Sequence, residues 1–300
     1  MMIYFKLTLT ALFWGGTFVA GRIVAREMGP FSAAFLRFLT ASVCLVLITW
    51  RTEGRVPFPG KTRLLPLMLL GLTGVFSYNV FFFLGLERIE AGRASLIIAN
   101  NPIFITLFSA LIFRERLRPL AAAGILISLS GALVVITRGN PLVAIQGGVG
   151  WGELFIFCCV LSWVAYSLIG KAVLATLSPL VTVTWASLLG MVFLAVPAWM
   201  EGLPWEVVQY TAASWGSVLY LGLFGTVAGF VWYYAGIREI GPARASQFIN
   251  LVPVSAILLA ALVLDEALTF SLLAGGVLVL TGITLTNRSS SQIAKANPSR

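Results

Sequence analysis

The sequence predicts an all-α polytopic membrane protein, with ten transmembrane helices laid out as two inverted five-helix repeats. The first repeat covers residues 1–140 and the second 141–287, and a polar tail expected to be disordered covers 288–300. Three observations carry this. Of 300 residues, 59% are hydrophobic and 10% charged, whereas an ordinary soluble domain has about 25% charged residues. Apolar runs of roughly 18 residues or more, each enough to cross a bilayer, recur along the whole chain. Finally, Arg93, Ser95, Pro102, Glu115, Gly124 and Gly131 reappear 151 positions on as Arg244, Ser246, Pro253, Glu266, Gly275 and Gly282, with no gap. Chance similarity between apolar segments would match Leu, Ile and Ala, and would not hold Arg, Pro, Glu and Gly at one register, so the chain is read as an internal duplication.

The first span is expected over about residues 4–25. Lys6 ahead of an apolar stretch also suits a secretory leader. Against that, Trp14, Gly21, Arg22 and Pro30 have counterparts 149 positions on in Trp163, Gly170, Lys171 and Pro179, and a cleaved leader would not be rebuilt in mid-chain. Four more spans follow at about 32–50, 63–84, 91–113 and 119–137. The second half supplies about 149–171, 179–200, 212–236, 243–264 and 270–287. These are helices and not barrel strands, because continuous apolar runs show no two-residue alternation. Arg138-Gly-Asn-Pro-Leu and Gln146-Gly-Gly-Val-Gly make a turn-rich joint between the halves.

The net charge is +9, from 20 Lys and Arg against 11 Asp and Glu. Nucleic acid would need those charges on one face or stripe, but they sit in short connectors. With a cytoplasmic N-terminus, that side holds Lys6, Arg51, Arg55, Lys61, Arg63, Arg114, Arg116, Arg118 and Lys171. The opposite side collects acids, among them Glu27, Glu90, Glu153, Glu201, Asp265 and Glu266. The positive-inside rule therefore places both termini in the cytoplasm. Five spans per copy is an odd number, so the second copy enters from the opposite face. Inverted copies about an axis in the membrane plane hold cargo near the midplane where they meet.

The segments FWGGTFVAGRIVA, SAAFLRFLTA, RASLIIANNPIFITLFSALIFRERL and RASQFINLVPVSAILLAALVLDEAL resemble the EamA-type drug/metabolite transporter superfamily, over about residues 5–287, and within it the YddG group of amino-acid and drug exporters. The resemblance implies ten helices, alternating access, and export of small amphipathic metabolites across the bacterial inner membrane.

The residues themselves nominate a site. Trp14, Trp163 and Tyr166 lie on the paired first and sixth spans, Tyr78, Asn79 and Phe82 on the third, and Tyr233 beside Phe230 on the eighth. Clustered aromatics near mid-span suit an amphipathic cargo in a wet pocket, although any one of them also suits lipid contact or core packing. Asn101 with Pro102, and Gln247, Asn250 and Pro253, put polar groups and helix breaks in the fourth and ninth spans. There they either floor a cavity or serve as interhelical glue and hinges. Arg37 lies deep in the second span, gating or paired, with nearby carbonyls or Glu27 as its expected partners. Arg93 and Arg244 read as helix-end ion pairs to Glu87 or Glu90 and to Glu239. Glu115 and Glu266 read as caps of the next helix. Gly124 and Gly131, with Gly275 and Gly282, allow close helix approach within a monomer or a weak homodimer.

No histidine occurs, and every acid falls at or near a helix end. That predicts a facilitator or exchanger over a proton-driven pump, and a neutral or zwitterionic cargo. Cys44, Cys158 and Cys159 read as buried packing, and neither metal nor cofactor is expected. The partners expected are a small-molecule substrate and the lipid bilayer, with no nucleic acid. The competing readings are a polytopic enzyme acting on lipid, for which HExxH, GxSxG and P-loop patterns are absent, and a non-transporting interaction subunit.

Overall fold

The computed structural model describes residues 2–113, 119–140, 150–174, 176–240 and 246–296, and no strand occurs among them. In chain order the elements are α1 (Met2–Val24), α2 (Pro30–Glu53), α3 (Lys61–Leu70), a π-helical segment (Gly71–Ser77), α4 (Tyr78–Arg88), α5 (Ala91–Ile98), α6 (Asn101–Phe113) and α7 (Pro119–Ile136). The second half has α8 (Trp151–Leu174), α9 (Pro179–Met200), α10 (Leu203–Glu206), α11 (Ala212–Tyr220), a second π-helical segment (Leu221–Ala228), α12 (Gly229–Ile240), a 3-10 turn (Ser246–Asn250), α13 (Leu251–Leu264) and α14 (Phe270–Ala296).

Among the described residues, seven helical stretches are long and apolar enough to cross a membrane, and Phe248–Leu264 and Phe270–Thr286 are shorter apolar helices. Lys61–Arg88 and Ala212–Tyr233 are single stretches, each with a π-helical segment at its middle. The helical backbone of α14 continues to Ala296, beyond the Asn287 at which the sequence reading ends the last span. Leu47, Val192, Val196 and Val277 are exposed along the apolar lengths of their helices, as an apolar solvent requires. Trp50, Trp151, Trp199 and Trp205 are exposed at helix ends, where indole rings anchor at an interface.

The packing repeats itself between the copies. α2 lies on α9, and α7 lies along α14. α4 packs on α8 as α12 packs on α1, and the close contacts correspond: Gly85 meets Ile156 while Gly236 meets Leu7, and Gly74 meets Tyr166 while Gly225 meets Thr17. Along α7 and α14, a Cβ on Gly124 would lie 2.7 Å from the Gly282 carbonyl, and one on Gly131 would lie 2.7 Å from the Gly275 carbonyl. Between these contacts, Ser128 Oγ donates to Val279 O at 3.3 Å, and Val279 stands 151 positions beyond Ser128. Backbones this close bring dispersion and carbonyl contacts that larger side chains would forbid.

Candidate functional site

Seven of the aromatic residues nominated from sequence converge on one array. Tyr78 stacks on Phe82 with ring centroids 6.0 Å apart and meets Trp163 at 5.3 Å, and Trp163 meets Tyr166 at 5.3 Å. Phe230 bridges to the other copy, 6.1 Å from Trp163 and 5.8 Å from Trp14, and Trp14 lies 5.3 Å from Tyr233. The rings come from α1, α4, α8 and α12, and Trp14 and Trp163 are one another's copies, as are Phe82 and Tyr233. Trp14, Tyr78, Trp163, Tyr166, Phe230 and Tyr233 are half-buried, whereas Phe82 is 1% exposed. Phe82 therefore backs the array, held between Phe18, Phe83 and Tyr78. Trp14 is fixed by its Nε1, which donates to Gly225 O at 2.9 Å, and a narrow crevice runs past it between Thr10, Tyr233 and Ile249.

Asn79 and Arg37 belong together. Arg37 Nη1 donates to Asn79 Oδ1 at 2.9 Å, while Nε and Nη2 each donate to Thr226 Oγ1 at 3.3 Å. The Asn79 amide is used at both ends, because Nδ2 donates to Val75 O at 2.8 Å and Gly74 O at 3.3 Å. The π-helical segments explain this. Their wider turn leaves carbonyls off the usual ladder, and a side chain four or five residues on collects them. Thr226 Oγ1 likewise donates to Leu221 O at 3.1 Å. Arg37 is thus tied to both π-helical segments. Among the described residues neither a carbonyl nor Glu27 is its partner, since Glu27 reaches across to α11. Nothing in hydropathy marks Thr226, but comparing the copies does, because Val75 stands in its place.

The fourth span is two helices. α5 ends at Ile98, a turn covers Ala99 and Asn100, and α6 starts at Asn101, so Pro102 occupies an N-terminal position where its missing donor costs nothing. Asn100, the first of the two adjacent amides before Pro102, serves as interhelical glue. Its Nδ2 donates to Leu96 O at 2.9 Å, and its Oδ1 accepts from Ser128 Oγ at 2.8 Å. Asn101 Oδ1 is buried with no hydrogen-bond partner among the described residues. In the second copy the 3-10 turn leads into α13, with half-buried Asn250 at its N-cap and Pro253 in its first turn. The Gln247 side chain and all of Arg244 lie outside the described residues, as does Glu115.

Carboxylates join the copies at helix ends. Arg93 pairs with Glu153 at 2.9 Å, both side chains 7% exposed, and Arg93 Nη2 also donates to the Ile136 carbonyl. This replaces the expected pairing with Glu87 or Glu90: Glu153 is in the first turn of α8, where it also accepts from Gly150 N at 3.1 Å. Glu87 pairs with Arg88. Glu266 does not cap the next helix. Asp265, at φ 55°, turns the chain, and Glu266 accepts from Ala91 N at 2.8 Å and Gly92 N at 3.0 Å at the start of α5. Glu201 accepts from Ser32 N at 2.6 Å at the start of α2. Glu27 accepts from Ser214 Oγ at 2.6 Å and from Thr211 Oγ1 at 2.9 Å, and these bonds hold its carboxyl below the usual range. A carboxylate facing a helix N-terminus is stabilised by unpaired N–H groups and the helix dipole. Cys159 is buried, Cys44 and Cys158 are half-buried, and no cluster of potential metal ligands occurs among the described residues.

Comparison with known proteins follows the same division into two copies. The model of the EamA-like transporter family matches residues 1–137 and again 150–288. An uncharacterized transporter of Bacillus subtilis, YyaM, is 29% identical, covering 94% of this chain and 92% of that one. A Streptantibioticus cattleyicolor protein named "Probable terminal-alkyne amino-acid exporter" is 32% identical over 94% of this chain and 92% of its own. A Salmonella typhimurium protein named "Probable amino-acid metabolite efflux pump" is 27% identical over 93% and 92%. One solved crystal structure superposes with a TM-score of 0.60 at 21% identity, over 93% of this chain and 95% of that one, a likeness of fold.

Proposed function

The chain belongs to the EamA-like transporter family, and on that premise we propose that it exports amino acids with aromatic or other neutral side chains, and related small amphipathic metabolites, by alternating access. The observation that carries this is the aromatic array. Its rings come from equivalent helices of both copies and meet where the copies meet, and half-buried rings present apolar faces and polar edges to a cargo of the same character. Two relatives are named for amino-acid export and amino-acid metabolite efflux, and the contacts repeated between copies support two five-helix units related by an axis in the membrane plane. The transport cycle rocks one unit against the other. Trp14, Trp163, Tyr78, Tyr166 and Tyr233 contact the cargo, and Asn101, Gln247 and Asn250 line its path at the helix breaks. Both termini lie in the cytoplasm, and the driving force is the gradient of the cargo or of an exchanged partner, since the acids sit at helix ends.

Purified protein in proteoliposomes, assayed for counterflow over about twenty amino acids, tests this. Saturable exchange of aromatic or branched neutral amino acids, abolished in Trp163→Ala, is the expected result. Flux of none of them overturns it, and strong accumulation driven by an imposed pH gradient alone overturns the facilitator assignment.

A further inference from the structure

Arg37 is 7% exposed about two turns into a membrane span, and among the described residues no carboxylate pairs with it. The ion pairs among the described residues are Arg88–Glu87 and Arg93–Glu153, while Arg37 is held only by the neutral oxygens of Asn79 and Thr226. A guanidinium cannot escape by losing its proton, so a buried, uncompensated charge here is a standing cost. The equivalent positions, drawn from both copies, carry no charge. The positions equivalent to Arg37, Asn79 and Thr226 are Ala186, Phe230 and Val75, and of these Ala186 is 1% and Val75 4% exposed. The triad also adjoins the aromatic array: Asn79 follows Tyr78, and Thr226 follows Gly225, whose carbonyl holds Trp14. Gly225 has no side chain, and a Cβ there would sit 2.6 Å from Thr17 Cγ2 and 3.7 Å from Arg37 Nη2, so the guanidinium lies beside the backbone that fixes Trp14.

We infer that Arg37 anchors the carboxylate of the cargo, and that the class recognised is an apolar body bearing a carboxylate, with or without an amino group. This rests on the transport reading above. When cargo arrives, its carboxylate takes two parallel N–H donors from the guanidinium, Asn79 and Thr226 give up those bonds while remaining tied to their own carbonyls, and the apolar body lies against the rings. Neutral amides and cationic amines lack the anion that offsets the buried charge and are rejected.

The test is competition in counterflow, with labelled phenylalanine and labelled leucine as probes. Phenyllactate and 2-hydroxyisocaproate should compete about as well as the parent amino acids, whereas phenylalaninamide and leucinamide should be at least about tenfold weaker, the size of one lost charge-assisted pair. Amides that compete as well as the acids overturn the inference and leave the transport reading standing; no counterflow with either probe overturns both. The triple substitution Arg37→Ala, Asn79→Phe, Thr226→Val installs the apolar residues found at the equivalent positions Ala186, Phe230 and Val75. It should insert and lose the acid-over-amide preference, and retention of that preference overturns the inference. If the triple variant does not fold, the wild-type competition decides alone.

Discussion

Glu153 and Arg93 are both 7% exposed and 2.9 Å apart, so removing one leaves a charge without its counter-ion in a low dielectric. Glu153→Ala is expected to cost about 3–5 kcal/mol in reversible unfolding from mixed micelles, and pairing it with Arg93→Met should recover most of the loss. Glu27 behaves differently because it is exposed. Its carboxyl is held down by bonds from Ser214 and Thr211, so its capping of α11 is present at neutral pH and disappears as pH falls through its lowered value. Amide exchange around Thr211–Ser214 should be faster in Glu27→Gln than in wild type at neutral pH, and the difference should close below the usual carboxylate range. Much at this scale was legible beforehand. The rings of Trp14, Tyr78, Trp163, Tyr166 and Tyr233 are nominated by their clustering near mid-span in equivalent helices, and they do meet. What could not be read was direction: a sequence says that Arg37 is deep, but not that a π-helical turn aims Asn79 and Thr226 at it.

Helices are set here by breaks as much as by runs. Pro102 and Pro253 announce a disturbance in the fourth and ninth spans, yet the break itself falls at Ala99–Asn100 in the first copy and in the 3-10 turn in the second. Proline fits the first turn of a helix better than its interior, so the residue marks where the second piece starts. The π-helical segments leave no mark in hydropathy, because one extra residue in a turn keeps every position apolar. The close approach of α7 and α14 was legible from Gly124, Gly131, Gly275 and Gly282. Gly124→Val would drive a side chain into the Gly282 carbonyl and Thr286 and is expected to destabilise the protein by about 1–3 kcal/mol. Gly216→Ala is the control: nothing lies within 4 Å of that position, so its thermal midpoint in detergent should hold or rise slightly.

At the scale of the molecule, the expectation to be measured is orientation. In a background without the native cysteines, Lys61→Cys and Arg300→Cys should react with an impermeant thiol reagent from the same side of the membrane. Labelling from opposite sides would remove the proposed inversion, and with it the proposed transport cycle. The internal repeat is legible because Arg, Pro, Glu and Gly keep a register that apolar residues alone cannot keep, and the family model matches residues 1–137 and 150–288. The crossing of α7 and α14 carries one more consequence. Gly124 faces Gly282, Gly131 faces Gly275, and Ser128 bonds to its own counterpart Val279, so each half of that crossing meets the mirror of what it offers. Contacts of this kind are what a shorter polypeptide makes with a twin. An ancestor half this length would have closed the same seam by self-association before a gene fusion joined the two reading frames.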